Sequence, residues 1–151
     1  MEIQWKIKRF EELSTSELYG LLRLREQVFI IEQNCIYPDL DNKDQKAIHV
    51  LGCKNEEVIA YSRIFKPGDY FDTASIGRVV VAQHVRKTKL GFRLMQKSIE
   101  EVKKQFNEDS ITISAQCYLI EFYKSLGFVP VGEKYLEDDI PHIRMIRDKN
   151  F

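Results

Sequence analysis

Four cations crowd the segment Arg86-Lys87-Thr88-Lys89-Leu90-Gly91-Phe92-Arg93, which joins an apolar strand to an amphipathic helix. The strand reads Ala74-Ser75-Ile76-Gly77-Arg78-Val79-Val80-Val81-Ala82, and the helix carries Leu94, Met95, Ser98, Ile99, Val102 and Phe106 along one side. Such a junction can hold a pyrophosphate. The first-turn N–H groups of a helix have no partner within it, and its macrodipole adds partial positive charge. Gly91, lacking a Cβ, lets the backbone approach an anion closely. A second group of chemically able residues surrounds a long loop: Glu32, Asp41, Asp44 and His49, with His142 entering the last strand behind Pro141. These can attract a cation or accept its proton.

Elements must position both groups. Residues 3–10 alternate as an edge strand, and Ser14-x-x-Glu17 is a capping box opening a helix with Leu18, Leu21, Leu22, Arg25, Val28 and Phe29 on one face. The pattern fails from Glu32 to Lys46, a loop long enough to be functional. Residues 47–53 and 58–66 form a hairpin around Lys54-Asn55-Glu56-Glu57, and the 74–82 strand and the helix of about 90–106 follow. A strand at 111–115, a short helix through Leu119, Phe122, Tyr123 and Leu126 capped by Gly127, and strands at 128–136 and 142–148 complete the chain. The order β-α-β-β-β-α-β-α-β-β predicts an α/β fold in one domain, residues 1–151, with a mixed sheet crossed over through the 90–106 helix.

With 151 residues, 44% hydrophobic and 30% charged, the chain can bury a substantial core. Lys+Arg and Asp+Glu are both 23, so no basic excess points to nucleic acid and the cation cluster suits a small anion. Cys35, Cys53 and Cys117 show neither disulfide nor metal-ligand spacing and read as reduced thiols; no metal is expected. The first residues resemble no signal or transit peptide and no apolar run is membrane-length, which predicts a cytoplasmic protein without a membrane partner.

Arg86 and Gly91 match the acyl-CoA-binding motif of the GNAT superfamily of N-acetyltransferases, Arg/Gln-x-x-Gly-x-Gly/Ala, with Lys89 where the first Gly is usual. Downstream, Tyr123-Lys124-Ser125-Leu126-Gly127-Phe128 matches that family's Tyr-x-x-x-Gly-Phe. The flanks resemble the ElaA-like branch more narrowly. They are Arg25-x-x-Val28-Phe29-x-x-Glu32-Gln33, Tyr37-Pro38-Asp39-x-Asp41-x-x-Asp44, His49, Ala115-Gln116 and Asp138-Asp139-Ile140-Pro141-His142-Ile143-x-Met145. ElaA-like sequences carry Gly where Asp139 stands.

The resemblance implies a GNAT-like, mostly antiparallel sheet of about seven strands with flanking helices. It also implies acetyl-CoA as co-substrate, and transfer of the acetyl group to a small-molecule or peptide amine by direct attack in a ternary complex. In that reading Tyr123 is general acid to the departing thiolate. Val79 and Val81 bind the pantetheine arm through backbone groups, their side chains being core. Arg86, Lys87, Thr88, Lys89, Leu90, Gly91, Phe92 and Arg93 hold the phosphates. Arg78, an Arg in an apolar strand, needs a counter-charge: it pairs with a loop carboxylate or faces the acceptor. Glu32, ending an apolar helix face, is the catalytic carboxylate candidate, with Asp41 and His142 beside the acceptor between the 32–46 loop and the 137–142 turn. The amine proton goes to one of these or equally to a water relay, and solvated loop charge is the ordinary alternative for each. Cys117 is either a small core residue or a neighbour of the thioester. Two other functions stay open: an acyl-homoserine-lactone-synthase-like acyltransferase, suggested by the N-terminal residues and Arg63, and a non-catalytic acyl-CoA-binding module, suggested by Lys89. A homodimer is compatible with the sequence, which does not fix the oligomeric state.

Overall fold

A computed structural model describes residues 2–148. Seven strands form one sheet in the order β1-β2-β3-β4-β5-β7-β6. They are β1 Gln4–Arg9, β2 Ile48–Lys54, β3 Glu57–Phe65, β4 Ala74–Val81, β5 Ile111–Gln116, β6 Val129–Glu137 and β7 Ile140–Arg147. The helices are α1 Thr15–Arg25, α2 Leu90–Phe106 and α3 Ile120–Lys124. Every neighbouring pair is antiparallel except β4 and β5. The mixed sheet and the element order are those the sequence predicts. None of the helices is long and apolar enough to cross a membrane, among the described residues.

Local chemistry sets each boundary. Ser14 Oγ accepts from the Glu17 N–H at 3.0 Å while Glu17 Oε1 accepts from the Ser14 N–H at 2.8 Å, closing the capping box at the start of α1. Glu17 also receives Lys6 and Lys8, two residues on one face of β1, at 3.1 and 2.8 Å, tying the edge strand to the helix. The hairpins turn on Asn55-Glu56 (φ 51 and 69) and Asp138-Asp139 (φ 51 and 62), each with both central residues in the left-handed region that two-residue loops require. A Gly at position 139 would meet that demand at lower cost.

The core lies where α2 crosses the sheet. Leu90, Leu94, Met95 and Val102 are fully buried against β3 and β4, each burial stabilising by roughly 1.5–3 kcal/mol. Truncating Leu94 to Ala would cost about 2–5 kcal/mol. The first helix does not end at Arg25. It continues as a wider coil over Glu26–Glu32, in which Gln33 N–H donates to Val28 O and Cys35 N–H to Ile30 O, five residues back. This widening carries Phe29 onto the central strands.

Candidate active site

Strands β4 and β5 pair only at Ala74↔Ile111 and Ser75↔Thr112. Beyond Ser75 they part, so alternate N–H and C=O groups of residues 76–81 face a wedge instead of a neighbouring strand. A bulge sharpens the parting: Tyr61 opposes Val80 and Arg63 opposes Gly77, so Arg78 and Val79 together face one residue, and Arg78 has φ 50. The extra residue reverses the facing of the strand. Val80 is therefore the core residue, 3% exposed, whereas Val79 and Val81, expected in the core, are half-buried and line the wedge.

The wedge opens as a cleft of about 810 Å³ toward the start of α2, lined by Val79, Val81, Arg86, Lys87, Lys89 and Gly91 among others. No side chain caps α2, and its first turn holds no acidic residue. The first bond along the helix runs from Arg93 N–H to Lys89 O at 3.1 Å, so the N–H groups of residues 89–92 have no intrahelical acceptor. The Arg93 N–H, expected in the anion site, is engaged. Lys87 and Lys89 have φ 68 and 63, so the lysine backbone adopts the left-handed conformation that favours Gly. The Thr88 hydroxyl donates to Val85 O at 2.6 Å, bracing this turn. A Cβ on Gly91 would lie 3.8 Å from Phe122 and Val81, ordinary contact; nothing in the folded chain itself demands glycine there.

Tyr123 stands at the inner end of the cleft. It is 6% exposed, packs edge-on against Phe122 and Phe128, and burial raises its hydroxyl pKa. Beyond it lies a chamber of about 120 Å³, and Phe29, Gln33, Val79, Gln116, Leu119 and Tyr123 line both spaces. The chamber sits between Gln33 and Tyr37 on one side and Glu137–His142 on the other, with Arg63, Ser75, Gly77 and Arg78 on its sheet wall. His142 is 6% exposed and stacks on Tyr135. Its Nδ1 donates to Ile140 O at 2.7 Å, so in the neutral ring Nε2 carries the lone pair, 3.4 Å from Glu137 Oε2.

The loop carboxylates have other partners. Arg25 and Arg63 are 0% and 1% exposed, and both donate to Asp44 Oδ1 at 2.8 Å. Arg63 also grips Asp41 at 2.9 and 2.6 Å, and Arg25 Nε donates to Asp39 at 2.8 Å. Arg78 Nη2 donates to Asp39 O at 3.0 Å, with Asp41 3.5 Å away. Burial pushes Asp41 and Asp44 up, but hydrogen bonds and charge from Arg63, and for Asp44 also Arg25, outweigh it and leave both carboxyls below their ordinary range. Asp41 thus latches the loop and does not line the chamber. His49 is fully buried: Nε2 donates to Asp44 O at 2.9 Å and Nδ1 accepts from Tyr61 OH at 2.6 Å, and desolvation lowers its pKa.

Glu32 is not beside His142 either. Arg86 donates to it through both Nη atoms, Nη2 to Oε1 at 2.8 Å, on the rim of the cleft. Glu32, the expected catalytic carboxylate, is instead held by Arg86 on the cleft, while its neighbour Gln33 lines both spaces. Arg78 pairs with a loop carboxylate, as expected, and also lines the chamber. Ser75, Arg63 and Glu137 were not singled out as site residues. The Arg63 signal was available, since it too is a cation in an apolar strand. Cys35, Cys53 and Cys117 are free thiols, and Cys53 is buried. No cluster of His, Cys, Asp or Glu able to hold a metal occurs among the described residues.

Residues 15–149 match the model of the acetyltransferase (GNAT) domain. The chain is 45% identical to protein ElaA of Escherichia coli over 97% of each sequence. The crystal structure of E. coli ElaA superposes with a TM-score of 0.91 at 44% identity, covering 97% of this chain and 100% of that one. An acyl-CoA N-acyltransferase from Pseudomonas aeruginosa superposes at 0.92 with 36% identity, over 97% and 99% of the two chains. A CoA-dependent acyl-homoserine lactone synthase, solved with SAM and isopentyl-CoA, shares the fold alone, at 17% identity and a TM-score of 0.77 over 97% of this chain and 83% of that one. The uncapped helix start, the parted strands and these likenesses converge: the chain belongs to the GNAT acetyltransferases, as an acyltransferase similar to ElaA.

Proposed function

We propose that this enzyme moves an acetyl group from acetyl-CoA to a primary amine by direct attack in a ternary complex. The observation that carries the reading is Tyr123, which stands on the wall shared by a long cleft and a small polar chamber. The cleft suits the donor. Four N–H groups without intrahelical acceptors and a turn with Lys87 and Lys89 receive phosphates. The open edge of β4 offers its N–H and C=O groups to the amides of an extended arm. The chamber suits the amine.

In the transfer a bond forms between the amine nitrogen and the acetyl carbon as the C–S bond breaks. The amine loses a proton and the thiolate gains one. Backbone N–H groups of β4 stabilise the developing oxyanion. Tyr123 supplies the thiolate's proton; its raised pKa keeps the hydroxyl protonated throughout the neutral range. On the chamber side, His142 Nε2 and the Glu137 carboxylate 3.4 Å from it form a pair able to accept and share the amine proton, directly or through water. The demand depends on the acceptor: an amine of pKa ~10.4 costs about 4–5 kcal/mol to deprotonate at pH 7, one of ~7.8 about 1.

The test is thiol release from acetyl-CoA with an amine panel, and mass spectrometry of the products. An acetylated amine formed with one equivalent of thiol supports the reading. Product formed only with S-adenosylmethionine and a longer acyl donor would replace it with the lactone-synthase chemistry.

A further inference from the structure

Three buried side-chain polar atoms lack a hydrogen-bond partner among the described residues: Arg63 Nε, Ser75 Oγ and Arg78 Nε. All three residues line the chamber. Arg63 and Ser75 are each 1% exposed. Arg78 Nε lies 2.8 Å from Asp39 Oδ1, but its N–H is not directed at that oxygen. Buried donors are almost always paired, so three orphans on one wall mark the place of an absent partner. Guanidinium nitrogens only donate, so the partner must accept.

The charge balance identifies the kind of acceptor atom. Arg25, Arg63 and Arg78 face Asp39, Asp41 and Asp44, three cations against three anions. The wall therefore needs no counter-charge, and an uncharged oxygen satisfies it as well as a charged one. The opposite side carries Glu137, Asp138 and His142, which suit a nitrogen. We propose that the chamber reads an oxygen of the acceptor with Arg63, Ser75 and Arg78 while the amine lies toward His142, so that the acceptor class is amino acids and their carbonyl derivatives, not plain alkylamines.

This rests on the acetyl-transfer reading and adds the acceptor's second group. Size agrees: about 120 Å³ is close to a cavity that takes a benzene-sized molecule, room for a compact backbone-like unit. Gly77 leaves that room, because a Cβ built there meets nothing within 4 Å.

The experiment uses matched triplets: an amino acid, its amide, and the amine lacking the carbonyl, drawn from alanine, serine and phenylalanine. Binding of each to the enzyme–CoA complex is measured by calorimetry, and kcat/KM is measured with acetyl-CoA after correction for the free-amine fraction. The expected result is that amino acid or amide exceeds the plain amine by about ten- to a hundred-fold, the range for a hydrogen bond to a buried charged donor. Ser75→Ala should narrow that ratio without changing CoA affinity. It should also leave the melting temperature equal or higher, since it removes an unpaired buried hydroxyl. Gly77→Val should weaken the whole triplet. Equal affinity across every triplet, or a ratio untouched by Ser75→Ala, overturns the proposal. Selective binding without acetylation of any triplet member would instead overturn the transfer reading and leave the recognition intact.

Discussion

Gly91→Asp separates stability from ligand binding, because the two should move in opposite directions. Gly91 is the second residue of α2, and a Cβ there makes only ordinary contacts at 3.8 Å with Phe122 and Val81. The folded chain therefore accepts the side chain. Losing a helical glycine gains a few tenths of a kcal/mol, and a carboxylate in the first turn gains about 0.3–1 from the macrodipole. The free protein should gain about 1 kcal/mol, or roughly 2–4 °C in Tm. A phosphate at the helix start would meet the same carboxylate as a like charge. At an effective dielectric of ~20, two unit charges ~4 Å apart repel by about 4 kcal/mol, about a thousand-fold in Kd. Calorimetric titration with CoA, run beside a thermal melt, reads both quantities, and Gly91→Ala isolates the steric part. A folded Gly91→Asp protein that binds CoA within threefold of the parent would refute the placement.

Tyr123→Phe should lower kcat by about 10²–10⁴-fold with acetyl-CoA affinity nearly intact; unchanged turnover would reduce the residue to packing against Phe122 and Phe128. Asp44→Asn weakens two buried charge-assisted bonds at 2.8 Å, from Arg25 and Arg63, and should cost about 3–5 kcal/mol in denaturant unfolding; a loss under 1 would show the latch to be unimportant. Burial pushes Glu17 up, but bonds from Lys8, the Ser14 N–H and Lys6 outweigh it and hold the carboxyl at about 2, below an unfolded value of 4.5. Its contribution is therefore complete above pH 4.5 and disappears as pH falls toward 2. Acid unfolding of Glu17→Gln should have a shallower pH dependence in that window, and an identical slope would contradict this.

Elements were legible in the sequence because their signals are local. The capping box at Ser14, the Gly127 stop and the period of α2 each concern residues within a few positions. The uncapped start of α2 was legible for the same reason, being one strand, one turn and one helix start. What escaped depends on distant partners or on one inserted residue. Glu32 and Arg86 lie 54 positions apart, and Asp41 meets Arg63 across 22, so nothing nearby reveals that these charges are taken. The bulge at Arg78 inverts the facing of Val79–Val81, which a strict two-residue period assigns to the wrong side.

The two rungs joining β4 to β5 divide the sheet into half-sheets, β1–β4 and β5-β7-β6. The crossover helix packs on the first half, against β2, β3 and β4, while α3 packs on the second, against β5 and β6. A molecule lying in the seam touches both halves and acts as the rungs the chain omits. By mass action it raises resistance to unfolding by RT ln(1 + [L]/Kd), about 2.7 kcal/mol at a hundred times Kd. A ligand bound there would couple the fold's resistance to unfolding to its own concentration, a form of supply sensing that follows from strand pairing and requires no second site.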